Sequence, residues 1–156
     1  MRLFGLIGYP LGHSFSQRYF TERFTSKGIT DAHYALFPLP DISALPHLLH
    51  QHPDLCGLNV TIPHKEAVIP YLDALDHTAR AVGAVNCIRI REGKKTGFNT
   101  DVWGFEQSFC SVADSILELH PNARALLLGT GGASKAVAWV LAKMSIPVLF
   151  VSRSPK

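Results

Sequence analysis

Polar side chains able to do chemistry occur in four short blocks, each lying between apolar, strand-like stretches of this 156-residue chain. The blocks are residues 13–16, 59–65, 83–86 and 99–101. They supply hydroxyls, amides, one ammonium group and one carboxylate, which together donate and accept the hydrogen bonds that a small polyhydroxylated acid requires. We therefore expect these blocks to bind such a molecule.

Lys65 is the residue best suited to move a proton. Pro63 favours the first turn of a helix that would carry Lys65, and the positive end of a helix dipole lowers the pKa of a lysine placed there. Such a lysine exchanges a proton with a substrate hydroxyl near neutral pH, as general acid–base catalysis requires. The alternative is a solvated surface lysine, the commoner role of this residue type.

Three residues near helix starts have a structural and a functional interpretation. Asp101 begins a predicted helix, where it either caps the helix or contacts a substrate. Ser14 fits an S-x-x-Q capping box with Gln17, whereas Ser16 is not needed as a cap. Because backbone N–H groups at a helix start also favour anions, the hydroxyls of Ser14 and Ser16 are suited to a carboxylate.

Asn59 and Asn86 interrupt strand-like runs, in which asparagine is disfavoured. A buried amide needs hydrogen-bond partners, which either the backbone or a ligand provides. Both alternatives stay open at this point. Thr61 gives no signal on its own, because threonine is common in strands.

A glycine-rich turn follows an apolar strand and precedes a helix, which is the context of a dinucleotide phosphate loop. The predicted cofactor contacts in this turn are Gly129, Thr130, Gly131, Gly132 and Ala133. Ser134 occupies the position of the third glycine in the usual G-x-G-x-x-G pattern.

The segment after the second strand of this unit favours NADP over NAD. An NAD site usually has an acidic residue there to bind the ribose hydroxyls, but this chain has two cations and two hydroxyls. They match the 2′-phosphate of NADP. The four residues are Ser152, Arg153, Ser154 and Lys156.

Composition narrows the class of protein. The net charge of +3 is modest and scattered, so nucleic-acid binding is not expected. No apolar run approaches the roughly 20 residues of a membrane span, and no secretory signal is recognisable, so we expect a cytoplasmic protein with reduced cysteines. The histidines and the cysteine of residues 47–56 straddle a helix end, a proline and a strand start, so no metal site is predicted.

Apolar periodicity predicts an α/β protein whose substrate domain has three layers and a mixed, mainly parallel sheet. The predicted strands are residues 3–8, 32–39, 55–61, 84–90, 94–98, 125–128 and 146–151, and residues 84–98 form a hairpin around Glu92-Gly93. The strand at 125–128 is expected to be buried on both faces. The predicted helices run from Ser14 to about Gly28, over 41–50, from Pro63, over 74–82, from Asp101 towards Leu119 and over 132–144.

A domain boundary is predicted near residue 101. Residues 1–101 form the substrate-binding and catalytic domain, and residues 102–156 form a truncated Rossmann-like NADP-binding domain with its first strand–helix–strand unit. A doubly wound domain is ordinarily built from two such halves. We therefore expect either that the chain is a fragment or that another chain covers the missing surface.

The run Gly57-Leu-Asn-Val-Thr-Ile-Pro-His-Lys65, with Gly83-Ala-Val-Asn86 and Gly97-Phe-Asn-Thr-Asp101, closely resembles the shikimate dehydrogenase family. The resemblance extends in order along the whole chain. It implies a substrate domain followed by a Rossmann-like NADP-binding domain, and interconversion of 3-dehydroshikimate and shikimate in aromatic amino acid biosynthesis.

The resemblance also implies roles for single residues. Ser14 and Ser16 correspond to ligands of the substrate carboxylate, and Lys65 and Asp101 to the catalytic pair. The ligands of substrate hydroxyls correspond to Thr61, Asn86 and Asp101, and the NADP contacts to residues 129–133 and 152–156. Asn59, an amide of the same block as Thr61, completes the predicted substrate-binding set.

The sequence departs from the family pattern at Gln17, where proline is usual, and at Cys87, where threonine is common. Three interpretations of the activity stay open: an NADP-dependent shikimate dehydrogenase, a relative that handles quinate or aminoshikimate, and a substrate-binding module that transfers no hydride. The predicted partner is a small-molecule substrate, and binding to nucleic acid or to a membrane is not expected. The predicted assembly is a monomer or a homodimer.

Overall fold

A six-stranded sheet forms the centre of the first of two structural units in this computed structural model, which describes residues 1–153. The unit comprises residues 1–76 and 85–98. Its strands are β1 (Arg2–Gly8), β2 (Ala32–Pro38), β3 (Leu55–Val60), β4 (Ala74–Leu75), β5 (Cys87–Arg91) and β6 (Lys94–Phe98), in the order β2-β1-β3-β5-β6-β4. Three strand pairs are parallel, and β5 is antiparallel to both β3 and β6. The predicted α/β class with a mixed, mainly parallel sheet is confirmed.

Two helices belong to this unit, α1 (Ser16–Ser26) and α2 (Leu45–Gln51), with short 3₁₀ turns at Ile42–Ala44 and Ile69–Tyr71. An aromatic cluster fixes α1 against the sheet: the ring of Phe20 stacks on Tyr34 with centroids 4.6 Å apart, and Phe24 lies against Phe4. Because apolar contact drives this packing, α1 is oriented by its inward face rather than by its ends.

The second unit consists of residues 77–84 and the residues from 99 onward. Its elements are α3 (His77–Val82), α4 (Thr100–Leu119), β7 (Ala125–Leu128), α5 (Gly132–Lys143) and β8 (Val148–Val151). Strands β7 and β8 are parallel, so the predicted strand–helix–strand unit is confirmed. Its buried residues include Val82, Ala84, Val102, Ala136 and Val140. The assignment of separate functions to residues 1–101 and 102–156 stays a prediction.

The helix predicted from Pro63 is wrong, because residues 62–68 form a series of turns. In a helix the Lys65 carbonyl would accept from the Ile69 N–H. Instead it accepts from Val85 N at 2.7 Å, and Ile69 N donates to Glu66 O at 3.2 Å. The predicted helix dipole therefore does not act on Lys65.

The helix predicted over 74–82 begins only at His77. Residues Ala74–Leu75 form β4 and pair with Thr96 and Gly97 of β6. A Cβ on Gly97 would lie 2.6 Å from Leu72 Cδ1 and 2.9 Å from Leu75 Cδ2, so the absent side chain is what allows β4 to approach.

The expectation that β7 is buried on both faces is also wrong. Leu126 and Leu128 are 59% and 79% exposed, whereas Ala125 and Leu127 are half-buried. Strand β7 pairs only with β8 among the described residues, and one face of this two-stranded sheet is open. An apolar run without alternation thus does not by itself show that both faces are covered.

Candidate functional site

Ser14 and Ser16 lie at the start of α1, and both side chains are half-buried. The Ser16 N–H donates to Ser14 Oγ at 3.3 Å. The predicted capping box is wrong: α1 begins two residues after Ser14, and Gln17 Nε2 donates to the Tyr34 carbonyl oxygen at 3.4 Å. A tertiary contact with β2 therefore takes the side chain that the local pattern assigned to the cap.

Tyr34 contacts one of the predicted substrate ligands. Its hydroxyl donates to Asn59 Oδ1 at 2.8 Å. Burial raises the pKa of the Tyr34 phenol well above its usual value, and the nearby Ser16 hydroxyl offsets this only in part. The phenol is therefore neutral near pH 7 and remains a hydrogen-bond donor.

Backbone hydrogen bonds hold the other substrate blocks together. Val60 N donates to Asn86 O at 2.9 Å, Val85 N donates to Lys65 O at 2.7 Å, and Asn86 N donates to Phe98 O at 3.0 Å. Residues 59–65 and 85–86 therefore meet at one end of the sheet. These bonds fix the backbone from which the side chains of Lys65 and Asn86 project.

This end of the sheet is where the parallel strands β1 and β3 finish. Ser14 and Ser16 follow β1, whereas Thr61 and Lys65 follow β3, and Thr61 N donates to Ile7 O at 2.9 Å. In open α/β sheets, ligands bind outside the carboxyl ends of the strands. Thr61, Lys65 and Asn86 are each half-buried there, as a residue that contacts both protein and ligand should be.

Asp101 belongs to the second unit, in the first turn of α4. Asn99, not Asp101, caps this helix, because Asn99 Oδ1 accepts from Asp101 N at 3.1 Å and from Val102 N at 3.4 Å. The amide nitrogen of Asn99 donates to Ala84 O at 2.9 Å. The capping interpretation of Asp101 is therefore wrong, and its carboxylate is half-buried at the positive end of a 20-residue helix.

The glycine-rich turn has the backbone geometry that a phosphate loop needs. Gly129 has φ +113°, a conformation that residues with a side chain rarely adopt, and Gly131 is the N-cap of α5. Gly129 N donates to Val151 O at 2.8 Å, which ties the turn to the end of β8. The first N–H groups of a helix have no partner within the helix, so this turn is suited to an anion.

Of the predicted 2′-phosphate ligands, Ser152 is half-buried and Arg153 is exposed, both directly after β8. Ser154 and Lys156 lie outside the described residues. An exposed guanidinium at the end of the second strand fits a phosphate group, and no acidic residue stands at 152 or 153 to bind a ribose diol.

Other kinds of site find no support in residues 1–153. No group of three or more His, Cys, Asp and Glu side chains is arranged to hold a metal ion there. No helix in that range has both the length and the apolar character that a membrane crossing requires. The buried His64 is structural, since its Nε2 is hydrogen-bonded to the Leu39 carbonyl oxygen at 2.5 Å.

Comparison with known proteins gives the family. Residues 6–88, more than half of the chain, match the family model described as the shikimate dehydrogenase substrate binding domain. The chain belongs to the shikimate dehydrogenase family. A curated relative, shikimate dehydrogenase (NADP(+)) from Staphylococcus aureus (strain JH9), is 41% identical over 96% of this chain and 54% of its own length. The chain thus spans about half the length of the curated relatives it matches.

Solved structures agree with this assignment. Shikimate 5-dehydrogenase from Thermus thermophilus, in complex with NADP(H) and shikimate, is 34% identical with a TM-score of 0.81, covering 99% of this chain and 57% of that one. The ligand-free 5-ketofructose reductase of Gluconobacter sp. strain CHM43 is 31% identical with a TM-score of 0.75, covering 98% and 54%. This shikimate dehydrogenase fold is therefore shared with a reductase of another name.

Tyr34 is the site residue that the sequence reasoning missed. Tyrosine is common in strands, so its presence in β2 gives no signal. Its contact with the candidate site is made by its hydroxyl, which reaches Asn59, 25 positions later in the sequence. Only the tertiary structure brings these residues together.

Proposed function

We propose that the chain carries the substrate-binding residues and the proton donor of an NADP-dependent shikimate dehydrogenase of aromatic amino acid biosynthesis. Such an enzyme converts 3-dehydroshikimate, NADPH and a proton to shikimate and NADP⁺. The observation that carries the proposal is a group of hydroxyls, amides and one lysine that lies after β1, at and after the end of β3, and just before β5. The chain that carries this group belongs to the shikimate dehydrogenase family.

The substrate has one carboxylate and several hydroxyls, and the polar residues divide accordingly. The hydroxyls of Ser14 and Ser16 donate to the carboxylate. Thr61 and Asn86 bind ring hydroxyls, and the Asn59 amide adds a further hydrogen bond. The family resemblance assigns a hydroxyl to Asp101 as well. These contacts orient the ring so that its carbonyl meets Lys65.

Lys65 donates its ammonium proton to the oxygen that becomes the C3 hydroxyl, and Asp101 orients that hydroxyl as the second member of the catalytic pair. NADPH, when bound, supplies the hydride that reduces the carbonyl carbon. The lone pair left on the Lys65 amine then accepts a proton from solvent, which restores the ammonium group. A positioned acid of this kind contributes about 10²–10⁴ in rate.

The residues present fit NADP. The positive φ of Gly129 and the extended Gly131 leave the start of α5 open to a pyrophosphate, with Thr130, Gly132 and Ala133 in the same turn. Ser152 and Arg153 follow β8, where the adenosine 2′-phosphate binds in such folds. We include Ser154 and Lys156 in this set from the sequence alone.

The test is turnover by the protein at its natural length. We expect shikimate oxidation with NADP⁺ to exceed quinate oxidation, with both rates measured from absorbance at 340 nm under identical conditions. Reduction of 5-ketofructose by NADPH is a necessary comparison, since one structural neighbour bears that name. A preference for quinate or 5-ketofructose would contradict the substrate assignment, and binding of shikimate without any turnover would support the binding-module alternative.

A further inference from the structure

We propose that Tyr34 is a positioning residue, whose hydroxyl holds the Asn59 amide in the orientation that substrate binding requires. The inference deepens the proposed function and rests on it, because Asn59 is a substrate ligand only in that proposal. Nothing in the family comparison or in the motifs assigns a role to Tyr34.

The Tyr34 side chain is held rigidly. It is 2% exposed, its ring stacks on Phe20 with an interplanar angle of 13°, and its backbone pairs with Phe4 in the parallel register of β1 and β2. Its carbonyl oxygen also accepts from Gln17 Nε2. A hydroxyl on such a ring has a fixed position, so it can serve as a reference point for more mobile neighbours.

The bond to Asn59 decides which end of the amide faces the site. The two ends of an asparagine amide have nearly the same shape but opposite hydrogen-bonding character. Because the Tyr34 hydroxyl donates to Oδ1 at 2.8 Å, the oxygen end faces the phenol and the NH₂ end faces away from it. Without the phenol proton, a half-turn of the amide would present an acceptor where a substrate hydroxyl needs a donor.

A purely structural role would be met by phenylalanine. Phe at position 34 would fill the same space and stack on Phe20, and it would avoid burying a hydroxyl. What phenylalanine lacks is the hydroxyl, and the contact of that hydroxyl described above is with a proposed ligand, Asn59. The substitution Tyr34→Phe therefore separates positioning from packing.

The experiment compares Tyr34→Phe with Tyr19→Phe, a matched control at a ring that is 43% exposed on α1. In Tyr34→Phe we expect the Kd for shikimate, and the KM at natural length, to rise about 10-fold, because the half-buried Asn59 acceptor loses its partner. The expected change in kcat is less than about twofold, because Lys65 is untouched. Tyr19→Phe should change neither constant.

Two further measurements locate the effect. In nitrogen-15 NMR spectra recorded without shikimate, the side-chain NH₂ signals of Asn59 should shift in Tyr34→Phe and stay in place in Tyr19→Phe. In an Asn59→Ala background, Tyr34→Phe should raise the Kd by less than it does alone, because residues that act through one another are not additive.

Each failure has a distinct signature. Unchanged Asn59 signals and an unchanged Kd in Tyr34→Phe, with shikimate bound normally by the unmodified protein, would overturn the positioning role and leave the proposed function intact. Shifted Asn59 signals in a protein that binds no shikimate would refute the proposed function. Should Tyr34→Phe fail to fold, the unmodified protein decides: a Tyr34 hydroxyl proton that exchanges slowly and shifts on adding shikimate supports the role, and one that does not shift overturns it.

Discussion

The two units prepare their candidate sites in different ways. In the first unit the chemistry lies in side chains, and a buried sheet and hydrogen bonds such as that from Tyr34 to Asn59 hold them in place. In the second unit the candidate phosphate loop depends on backbone conformation, above all on the positive φ of Gly129. Side-chain substitutions should therefore be most damaging in the first unit.

The units also differ in how completely they bury their sheets. Leu58, on the central strand β3, is 2% exposed, whereas Leu128 on β7 is 79% exposed. Both are leucines in apolar strands, so composition alone does not predict which of the two is buried. The contrast teaches that the six-stranded sheet obtains its cover within the described residues, while the two-stranded sheet leaves one apolar face open.

The largest effect is expected at Lys65. Lys65→Ala at natural length should lower kcat by about 10²–10⁴, because the developing alkoxide loses its proton donor. The Kd for shikimate should change little, since carboxylate and hydroxyl contacts remain. Lys27→Ala, an exposed lysine just after α1, is the matched control and should have ordinary kcat. Ordinary turnover in Lys65→Ala would refute the assignment.

A stability comparison tests the difference between the sheets. Leu58→Ala should lower the free energy of unfolding by about 2–5 kcal/mol, because it removes buried methyl groups and leaves a cavity. Leu128→Ala should change it by less than about 0.5 kcal/mol, because its side chain is already in water. Urea unfolding of the 156-residue chain measures both. Equal losses would mean that Leu128 is covered in solution, by a second copy for example.

The smallest of these effects concerns cofactor choice. Losing one charge-assisted contact costs about 1.5–3 kcal/mol, or one to two decades in affinity. Arg153→Ala at natural length should therefore weaken NADP⁺ binding by about that factor while NAD⁺ binding changes little, as calorimetric titration would show. Equal weakening of both cofactors would assign Arg153 to the pyrophosphate or to the fold.

The fold was predictable where apolar periodicity and turn residues agree. The β5–β6 hairpin around Glu92-Gly93 and the strand–helix–strand unit of β7, α5 and β8 match the prediction because their signals are local. The failures occurred where tertiary hydrogen bonds override local preference. The Lys65 carbonyl bonds to Val85 instead of continuing a helix, and Gln17 reaches Tyr34 instead of a cap.

For the candidate site, the sequence suggested members but not their organisation. Asn59 and Ser16 are predicted members, and both lie in the part of the chain that the family model matches. The sequence did not indicate Tyr34, whose contact with Asn59 joins residues 25 positions apart. It suggested Asp101 as a possible cap of α4, whereas Asn99 makes the local cap contacts with Asp101 N and Val102 N. Residue types indicate which chemistry is possible, and only tertiary contacts show how it is held.

The most direct test of the account is a shikimate titration of the 156-residue chain, followed in nitrogen-15 NMR spectra with assigned signals. The account predicts saturable shifts concentrated at residues 14–16, 59–65 and 85–87, which lie after β1, at the end of β3 and at the start of β5, with a further shift at Asp101. The signals of residues 129–133 should not shift until NADP⁺ is added. Absence of saturable shifts, or shifts concentrated in the glycine-rich turn, would contradict the claim that the first unit binds the substrate.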